Sequence, residues 1–405
     1  MQYTAEEVLD FLEEEDVRFV RLAFCDIFGT PKNISIPPAA LKSAFSNGAS
    51  FDASAVPGFA DVSRSDLFLY PDPSTLALFP WRPSNGRVVR MFCDIRYPDG
   101  RPFELDSRQI LKSAAADAKA LGLHCGIGTE YEFYLFKTDE TGAPTDVPMD
   151  TAGYMDMAPE DAGENVRRDI CLTLEDMHIA TEASHHEEGP GQNEIDFRYA
   201  DPLVAADNAV TFKTVVKTAA ARNGLYASFD PKPIEDAPGS GMHVNFSPQS
   251  EAGDCFEAFM AGLLAHIRET TLFLNPTGQS YRRLGSSKAP LYVSWSPENR
   301  SQLIRIPAVT EEQKRRIELR SPDANANPYL AFALLLWAGL DGVEQGMTPP
   351  PSADFNLYTA IPRQLTGLRK LPLSLREAAF EAHGSAFIGS HLPQKLVEEY
   401  TRRGQ

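Results

Sequence analysis

Apolar residues recur along this chain with two alternating periods, one helical and one extended. Thr4 and Glu7 form an S/T-x-x-E capping pattern, and Val8, Phe11 and Leu12 follow at helical spacing. A short amphipathic helix is expected there. Arg18 to Phe24 reads as a strand, Asp26-Ile-Phe-Gly-Thr-Pro31 carries turn residues, and Asn33 to Ile36 reads as a second strand that ends at Pro37-Pro38. Further short strands are expected over Leu67 to Leu69 and Val88 to Ile95. Residues 1–98 are therefore read as a small α+β domain, closed by the turn Tyr97-Pro-Asp-Gly100.

Beyond that turn the elements lengthen. Asp106 to Leu121 has helical spacing, and four segments read as strands: Gly128 to Phe136, Asn193 to Tyr199, Gly241 to Ser247, and Arg316 to Arg320. Helices fall between them. Asn327-Pro328 caps the strongest, with proline at the first helical position. Strands with acidic residues on one face, separated by helices, predict an antiparallel sheet backed by helices over residues 99–405, and an α+β fold class overall. Pro349-Pro-Pro351 marks a break, and residues 350–405 carry no clear period.

Charge and cysteine usage narrow the partners. The formal net charge of −18 excludes nucleic acid and anionic membranes as main partners, because both require a basic footprint. It leaves phosphate ligands open, since a few arginines can hold a nucleotide. The five cysteines form no CxxC pair, so neither a disulfide framework nor a cysteine zinc site is expected. The start lacks a signal-peptide pattern. The longest apolar run, Tyr329 to Leu340, is too short to span a bilayer. A reduced, cytoplasmic setting is expected.

Four segments carry chemistry. In Gly128-Thr-Glu-Tyr-Glu-Phe133, Glu130 and Glu132 share one strand face. A solvated face would tolerate them; a buried one demands a cation. In Glu182-Ala-Ser-His-His-Glu187-Glu-Gly-Pro-Gly-Gln-Asn-Glu194, a turn can bring Glu187 and Glu194 to one site. His243 and Asn245 share a strand face, as do Glu318 and its flanking arginines in Arg316-Ile-Glu-Leu-Arg320. Carboxylates with one histidine suit Mg²⁺ or Mn²⁺. Arg283, Arg300, Arg305, Arg316 and Arg320 match phosphate and carboxylate geometry. No GxxxxGK[ST] loop is present and no GxGxxG follows a strand. The residues by themselves point to metal-dependent phosphate chemistry.

These segments, in this order, resemble the glutamine synthetase family, bacterial type I, from about residue 5 to residue 345. The resemblance rests on GTEYEF, SHHEEGPGQNEIDF, PKP followed by GSGMH, NPTGQSYRRL, NRSQLIRIP and RRIELRSPDANANPYL. It implies a β-grasp-like N-terminal domain, a larger catalytic domain, and ATP with Mg²⁺ or Mn²⁺. It implies that Glu132, Glu187 and Glu194 hold one metal, and Glu130, His243 and Glu318 the other. Arg283 would touch the glutamate carboxylate, and Arg300 and Arg320 the transferred phosphate and the glutamate. Arg305 and Arg316 are assigned to the nucleotide, as are Glu182 and Ser247. Gly241 would approach the amino acid. Asp52 and Tyr154 would line the ammonium site, with Asp52 supplied by a neighbouring subunit of a double hexameric ring.

The implied reaction phosphorylates the glutamate side chain with ATP, and ammonia then attacks the acyl phosphate, with Asp52 taking its proton. Departures cluster at the amine side. The family's RLVPGYEAP is Arg283-Leu-Gly-Ser-Ser-Lys288-Ala-Pro290 here, one residue shorter, with lysine where glutamate is expected. A shortened loop is expected to hold Lys288 away from the pocket. A γ-glutamyl ligase for another small amine and a catalytically silent relative are the alternatives. Tyr358 resembles a tyrosine that some members adenylylate, in different surroundings.

Overall fold

The computed structural model describes residues 3–82, 85–311 and 314–404. The opening helix Ala5–Glu14 has the expected reciprocal cap, in which the Thr4 side chain accepts from the Glu7 amide and the Glu7 carboxylate accepts from the Thr4 amide. Its apolar stripe buries Val8 and Leu12. Strand Val17–Cys25 then turns through Asp26, whose carboxylate accepts from the Phe28 and Thr30 amides, and returns as Pro31–Ile36. The pair is antiparallel, while Val17–Cys25 also runs parallel to Arg87–Arg96. Asp66–Pro71 and Ala49–Asp52 extend this six-stranded sheet on the other side.

The second sheet has nine strands. Its spine is the long strand Leu123–Thr138, flanked by Met242–Ser250 on one side and Gln192–Phe197 on the other, both antiparallel to it. The expected antiparallel order holds except at one edge, where the three-residue strands Trp295–Pro297 and Ile304–Ile306 run parallel. Helices Ser107–Ala120, Pro202–Arg222, Phe256–Leu274 and Pro328–Glu344 back the sheet. The last is almost wholly buried, and Asn327 caps it by accepting from the Tyr329 amide. Tyr131 and Phe133, which alternate with Glu130 and Glu132, point into this core. One face of the spine strand is thus fixed by burial, and the acidic residues are forced onto the opposite face.

Residues 350–405, which gave no period, form three short helices within the described part: Leu375–His383, Ala386–His391 and Gln394–Arg402. The last grips the N-terminal sheet. Lys395 Nζ donates to the Phe59 carbonyl at 2.6 Å, and Tyr400 Oη donates to the Ile27 carbonyl at 2.9 Å. Asn327 Nδ2 donates to that same carbonyl at 3.0 Å. Gly29 (φ 81°) is required at this junction, because a Cβ there would meet Asn327 Cα at 2.8 Å. Among the described residues, no helix is long and apolar enough to cross a membrane.

Candidate active site

Strand register builds the site. Glu130 stands opposite His243 on one side and Asp196 on the other, Glu132 stands opposite Glu194, and Glu318 stands opposite both Asn245 and Arg305. The side-chain period of two places these groups on the face away from the core. Like charges directly opposite each other destabilise a sheet. Here the Glu132–Glu194 pair is also partly buried, with Glu194 only 8% exposed. Burial, then Glu132 and its neighbours, push the Glu194 carboxyl well above the usual range. Burial and Glu130 raise Asp196 to about 7. For Glu130, burial is outweighed by the hydrogen bond and charge of His243, which hold its pKa low.

This donor chemistry fits divalent cations. Glu130, His243 and Glu318 offer ligand atoms within 4.8 Å of one another, as do Glu132, Glu194 and His243, and His185, Glu187 and Glu194. The first group reunites the trio expected from the sequence. The expected trio of Glu132, Glu187 and Glu194 is divided between the other two groups; His185 in one of these, and Asp196 in a further group with Glu130 and Glu194, are members that the sequence reading did not single out. Asp196 carried a signal, since it follows Glu194 by two residues and shares its face.

A cavity of about 410 Å³ opens over these groups. Arg300, Arg305, Arg316 and Arg320 line it, with Glu130, Glu132, Glu187, Glu194 and His243. Glu318 lies beneath, 1% exposed, bound by Arg305 Nη1 at 2.6 Å and by Arg320 Nε at 3.0 Å. Arg320 also donates to the Arg300 carbonyl. Arg316 Nε donates to Asn245 Oδ1 at 3.3 Å, and Asn245 Nδ2 to Glu130 Oε1 at 2.9 Å. Arg283 reaches the wall, but its fork is largely committed: Nη1 donates to the Ser321 and Pro322 carbonyls and Nη2 to the Arg320 carbonyl. The Gly241 amide donates to Glu132 Oε2 at 2.7 Å, which fixes that carboxylate.

Behind Glu187 lies a second polar layer. His186 Nε2 is 2.9 Å from Asp150, and its Nδ1 is 2.6 Å from the Glu187 carbonyl. Asp150 also accepts from the Gly191 amide. Gly191 (φ 68°) lies so close to the Leu135 carbonyl that a Cβ would approach it to 2.7 Å. The turn that brings Glu187 across to Glu194 therefore needs both this glycine and this pair.

Glu182 and Ser247 sit on strands Thr181–His186 and Met242–Ser250 but outside the cavity wall. Asp52 ends strand Ala49–Asp52, away from the wall, with its carboxylate bonded to Ser54. Lys288 corrects the expectation that a shortened loop would keep it out. It has φ 63°, which turns the side chain back onto the cavity, where it pairs with Glu188 and stands 5.9 Å from the Tyr154 ring centroid. Tyr154 itself lines the cavity mouth, and Tyr358 Oη lies 3.5 Å from the Arg300 carbonyl.

Comparison with known proteins identifies the family. Residues 16–98 match the model of the glutamine synthetase β-Grasp domain, and residues 104–403 match that of the glutamine synthetase catalytic domain. A glutamine synthetase of Clostridium saccharobutylicum is 45% identical, covering 98% of this chain and 95% of its own length. A glutamine synthetase of Methanosarcina mazei is also 45% identical, covering 98% of this chain and 92% of its own length. The solved structure titled GmaS/ADP complex superposes with a TM-score of 0.87 at 31% identity, covering 97% of this chain and 94% of that one. A Plasmodium falciparum glutamine synthetase at 23% identity, also with a TM-score of 0.87, shares the fold. With an N-terminal β-grasp domain, a larger catalytic domain and this cavity between carboxylates and arginines, the chain belongs to the glutamine synthetase family.

Proposed function

We propose that this chain is an ATP-dependent ligase that joins ammonia to the side-chain carboxylate of glutamate, a glutamate–ammonia ligase. The observation that carries this is the cavity that sets buried, mutually repelling carboxylates beside five arginines. Glu130, His243 and Glu318 would hold one divalent cation, and Glu132, Glu187 and Glu194 a second. Such cations, Mg²⁺ or Mn²⁺, neutralise charge on a phosphoryl group in transfer.

The chain's own residues supply the rest. Arg300, Arg305, Arg316 and Arg320 face the space where phosphate oxygens gain charge, and their forks match those oxygens. Arg305 and Arg320 are pre-aimed by Glu318, so little reorganisation accompanies transfer. Arg283 on the wall is assigned to glutamate, and Gly241 acts behind it by holding Glu132. Transfer of the ATP terminal phosphoryl group to the glutamate side-chain oxygen releases ADP and gives an acyl phosphate. The amine lone pair then attacks the acyl carbon, phosphate leaves, and a carboxylate takes the amine proton. Asp52 is the carboxylate we assign to that step. Because it lies off the wall of its own chain, the assignment requires Asp52 from an adjoining copy and therefore a homo-oligomer, which we take to be a double hexameric ring. Free cysteines throughout support a reducing, cytoplasmic setting.

The test is phosphate release and glutamine formation from ATP and glutamate, with and without ammonium chloride. Ammonia-dependent release of one phosphate per glutamine is expected. ATP binding without turnover on any amine overturns the reading. Lys288 on the cavity wall favours a second reading, a γ-glutamyl ligase for another small amine, which a panel of amines separates from the first.

A further inference from the structure

Glu318 aims Arg305 and Arg320, and Asn245 aims Arg316. Arg300 is held by other means. It is an exposed residue on the cavity wall, in the irregular loop between the short strands Trp295–Pro297 and Ile304–Ile306. Its neighbours in the chain turn the other way and grip a second irregular segment, residues 350–358, which begins inside the Pro349-Pro-Pro351 break.

The grip is made by side chains. Asn299 Nδ2 donates to the Phe355 carbonyl at 2.9 Å, and Asn299 Oδ1 accepts from the Ser301 amide at 3.0 Å and from the Ser301 hydroxyl at 2.8 Å. Ser301 Oγ in turn accepts from the Leu357 amide at 2.9 Å. Gln302 is fully buried and lies off the cavity wall. Its Nε2 donates to the Ala353 carbonyl at 2.7 Å and the Phe355 carbonyl at 3.1 Å, and its Oε1 accepts from Ser294 Oγ. The segment is itself pinned, since Trp295 Nε1 donates to the Pro350 carbonyl at 2.7 Å and the Ala353 amide to the Trp295 carbonyl at 2.9 Å. Two stretches without regular pairing thus satisfy each other's buried polar groups. A loop tied on both sides of one residue leaves that residue little freedom, and the carbonyl of Arg300 is fastened as well, by Arg320.

We propose that Gln302, with Asn299 and Ser301, is a positioning residue for Arg300: it fastens the arginine's backbone to segment 350–358, so that the guanidinium stands in place before the phosphoryl group is transferred. The proposal rests on the ligase reading and adds to it a residue that touches neither substrate nor metal. Gln302 therefore acts on the transfer step and leaves nucleotide binding alone.

Two measurements on the assembled enzyme test this. The first needs no turnover. Aluminium fluoride beside ADP mimics the phosphoryl group in transfer, and such mimics bind more tightly than ground-state ligands. In the parent, aluminium fluoride is expected to tighten ADP binding. Gln302→Leu, which keeps the volume and removes the hydrogen bonds, is expected to lose that tightening on the order of tenfold, since a misplaced group forfeits up to about a hundredfold, with the affinity for ADP alone unchanged. Ser301→Ala, a milder change, is expected to show the same pattern at about threefold, the effect of one ordinary hydrogen bond. Full tightening in both variants, or an equal loss of affinity for ADP with and without aluminium fluoride, overturns the proposal. A parent that holds ADP no more tightly with aluminium fluoride overturns the ligase reading itself.

The second measurement is a cycle of initial rates. Gln302→Leu is expected to lower kcat on the order of tenfold with the ATP KM constant. In an Arg300→Ala background the same change is expected to have no further effect, because an absent arginine cannot be misplaced. An equal fold-loss in both backgrounds overturns the proposal and leaves Gln302 a support of the fold alone.

Discussion

The two ends of the cavity are built from different materials. At the end we assign to the metals, Glu130, Glu132, Glu194, His243 and Glu318 rise from strands and are held by neighbours: Glu130 by His243 at 3.1 Å, Glu318 by Arg305 and Arg320. At the acceptor end the side chains come from turns. Tyr154 is 47% exposed, its neighbour Met155 has φ 60°, and Lys288 has φ 63°. The difference follows from what each end must do. Neutralising a transferring phosphoryl group needs fixed charges that do not reorganise, and a sheet supplies fixed positions. Choosing an amine needs only a few contacts, and loops can exchange these without disturbing the core.

The sharpest way to break this comparison is at Glu318. Glu318→Ala is expected to lower kcat on the order of 10²–10³-fold. The change also leaves Arg305 and Arg320 without their anion, a loss of about 3–5 kcal/mol when a buried pair is broken. Glu318→Gln keeps the volume, so a thermal melt on both variants separates lost chemistry from lost fold. Near-parental rates across a range of Mg²⁺ concentrations in Glu318→Gln would remove Glu318 from the metal set.

Asp52 comes next. Asp52→Ala is expected to lower amine-dependent turnover on the order of 10²-fold, the usual scale for a lost proton acceptor, while leaving the glutamate KM near the parental value. Mixing Asp52→Ala subunits with Glu318→Gln subunits is expected to restore part of the activity if Asp52 serves the neighbour's cavity. No restoration in mixed assemblies would return Asp52 to a structural role.

Metal removal probes the same end through stability. Mn²⁺ at a hundredfold excess over its Kd is expected to stabilise the stripped protein by about 2.7 kcal/mol. The pH dependence has a definite sign. Burial and Glu132 raise Glu194, and burial and Glu130 raise Asp196 to about 7. The folded, metal-free state therefore binds protons that the unfolded chain has already released. Its stability falls as pH rises from the ordinary carboxylate range toward and beyond 7. Thermal melts should show this fall without metal and a smaller one with Mn²⁺. Glu194→Gln should flatten it in the stripped protein.

The smallest effect is at the loop-built end. Tyr154→Ala removes one aromatic face from a half-exposed cation and is expected to change the amine KM by about two- to fivefold. A hundredfold loss there would mean that the acceptor end is as preorganised as the metal end, and the contrast would fail.

What could be read from the sequence divides along the same line. Glu130, Glu132, His243 and Glu318 were legible because a period of two, with Tyr131 and Phe133 buried between the acids, leaves only one face for them. The capping box at Thr4 and the Asn327-Pro328 start were legible because local hydrogen bonds decide them. Lys288 was misjudged because loop length sets reach only when the backbone stays in ordinary conformations, and a left-handed residue reverses the side chain's direction. His185 was passed over because a histidine beside a turn has no period to announce it. The helices Leu375–His383 and Ala386–His391 are nine and six residues long, too short to impose periodicity. Their signals were caps instead: Ser374 accepts from the Glu377 amide, and Ser385 from the Ile388 amide.

The grip of helix Gln394–Arg402 on the N-terminal sheet has a consequence for how the molecule comes into being. Ile27 leaves the ribosome more than 370 residues before Tyr400, by the separation of their numbers, yet one carbonyl of Ile27 joins both Asn327 and Tyr400. During synthesis the β-grasp domain has its own sheet but no floor to rest on. It settles only when the helix Gln394–Arg402 has been made. The seat of Asp52 is thus set late in synthesis, after the segment that carries Tyr400 has been made.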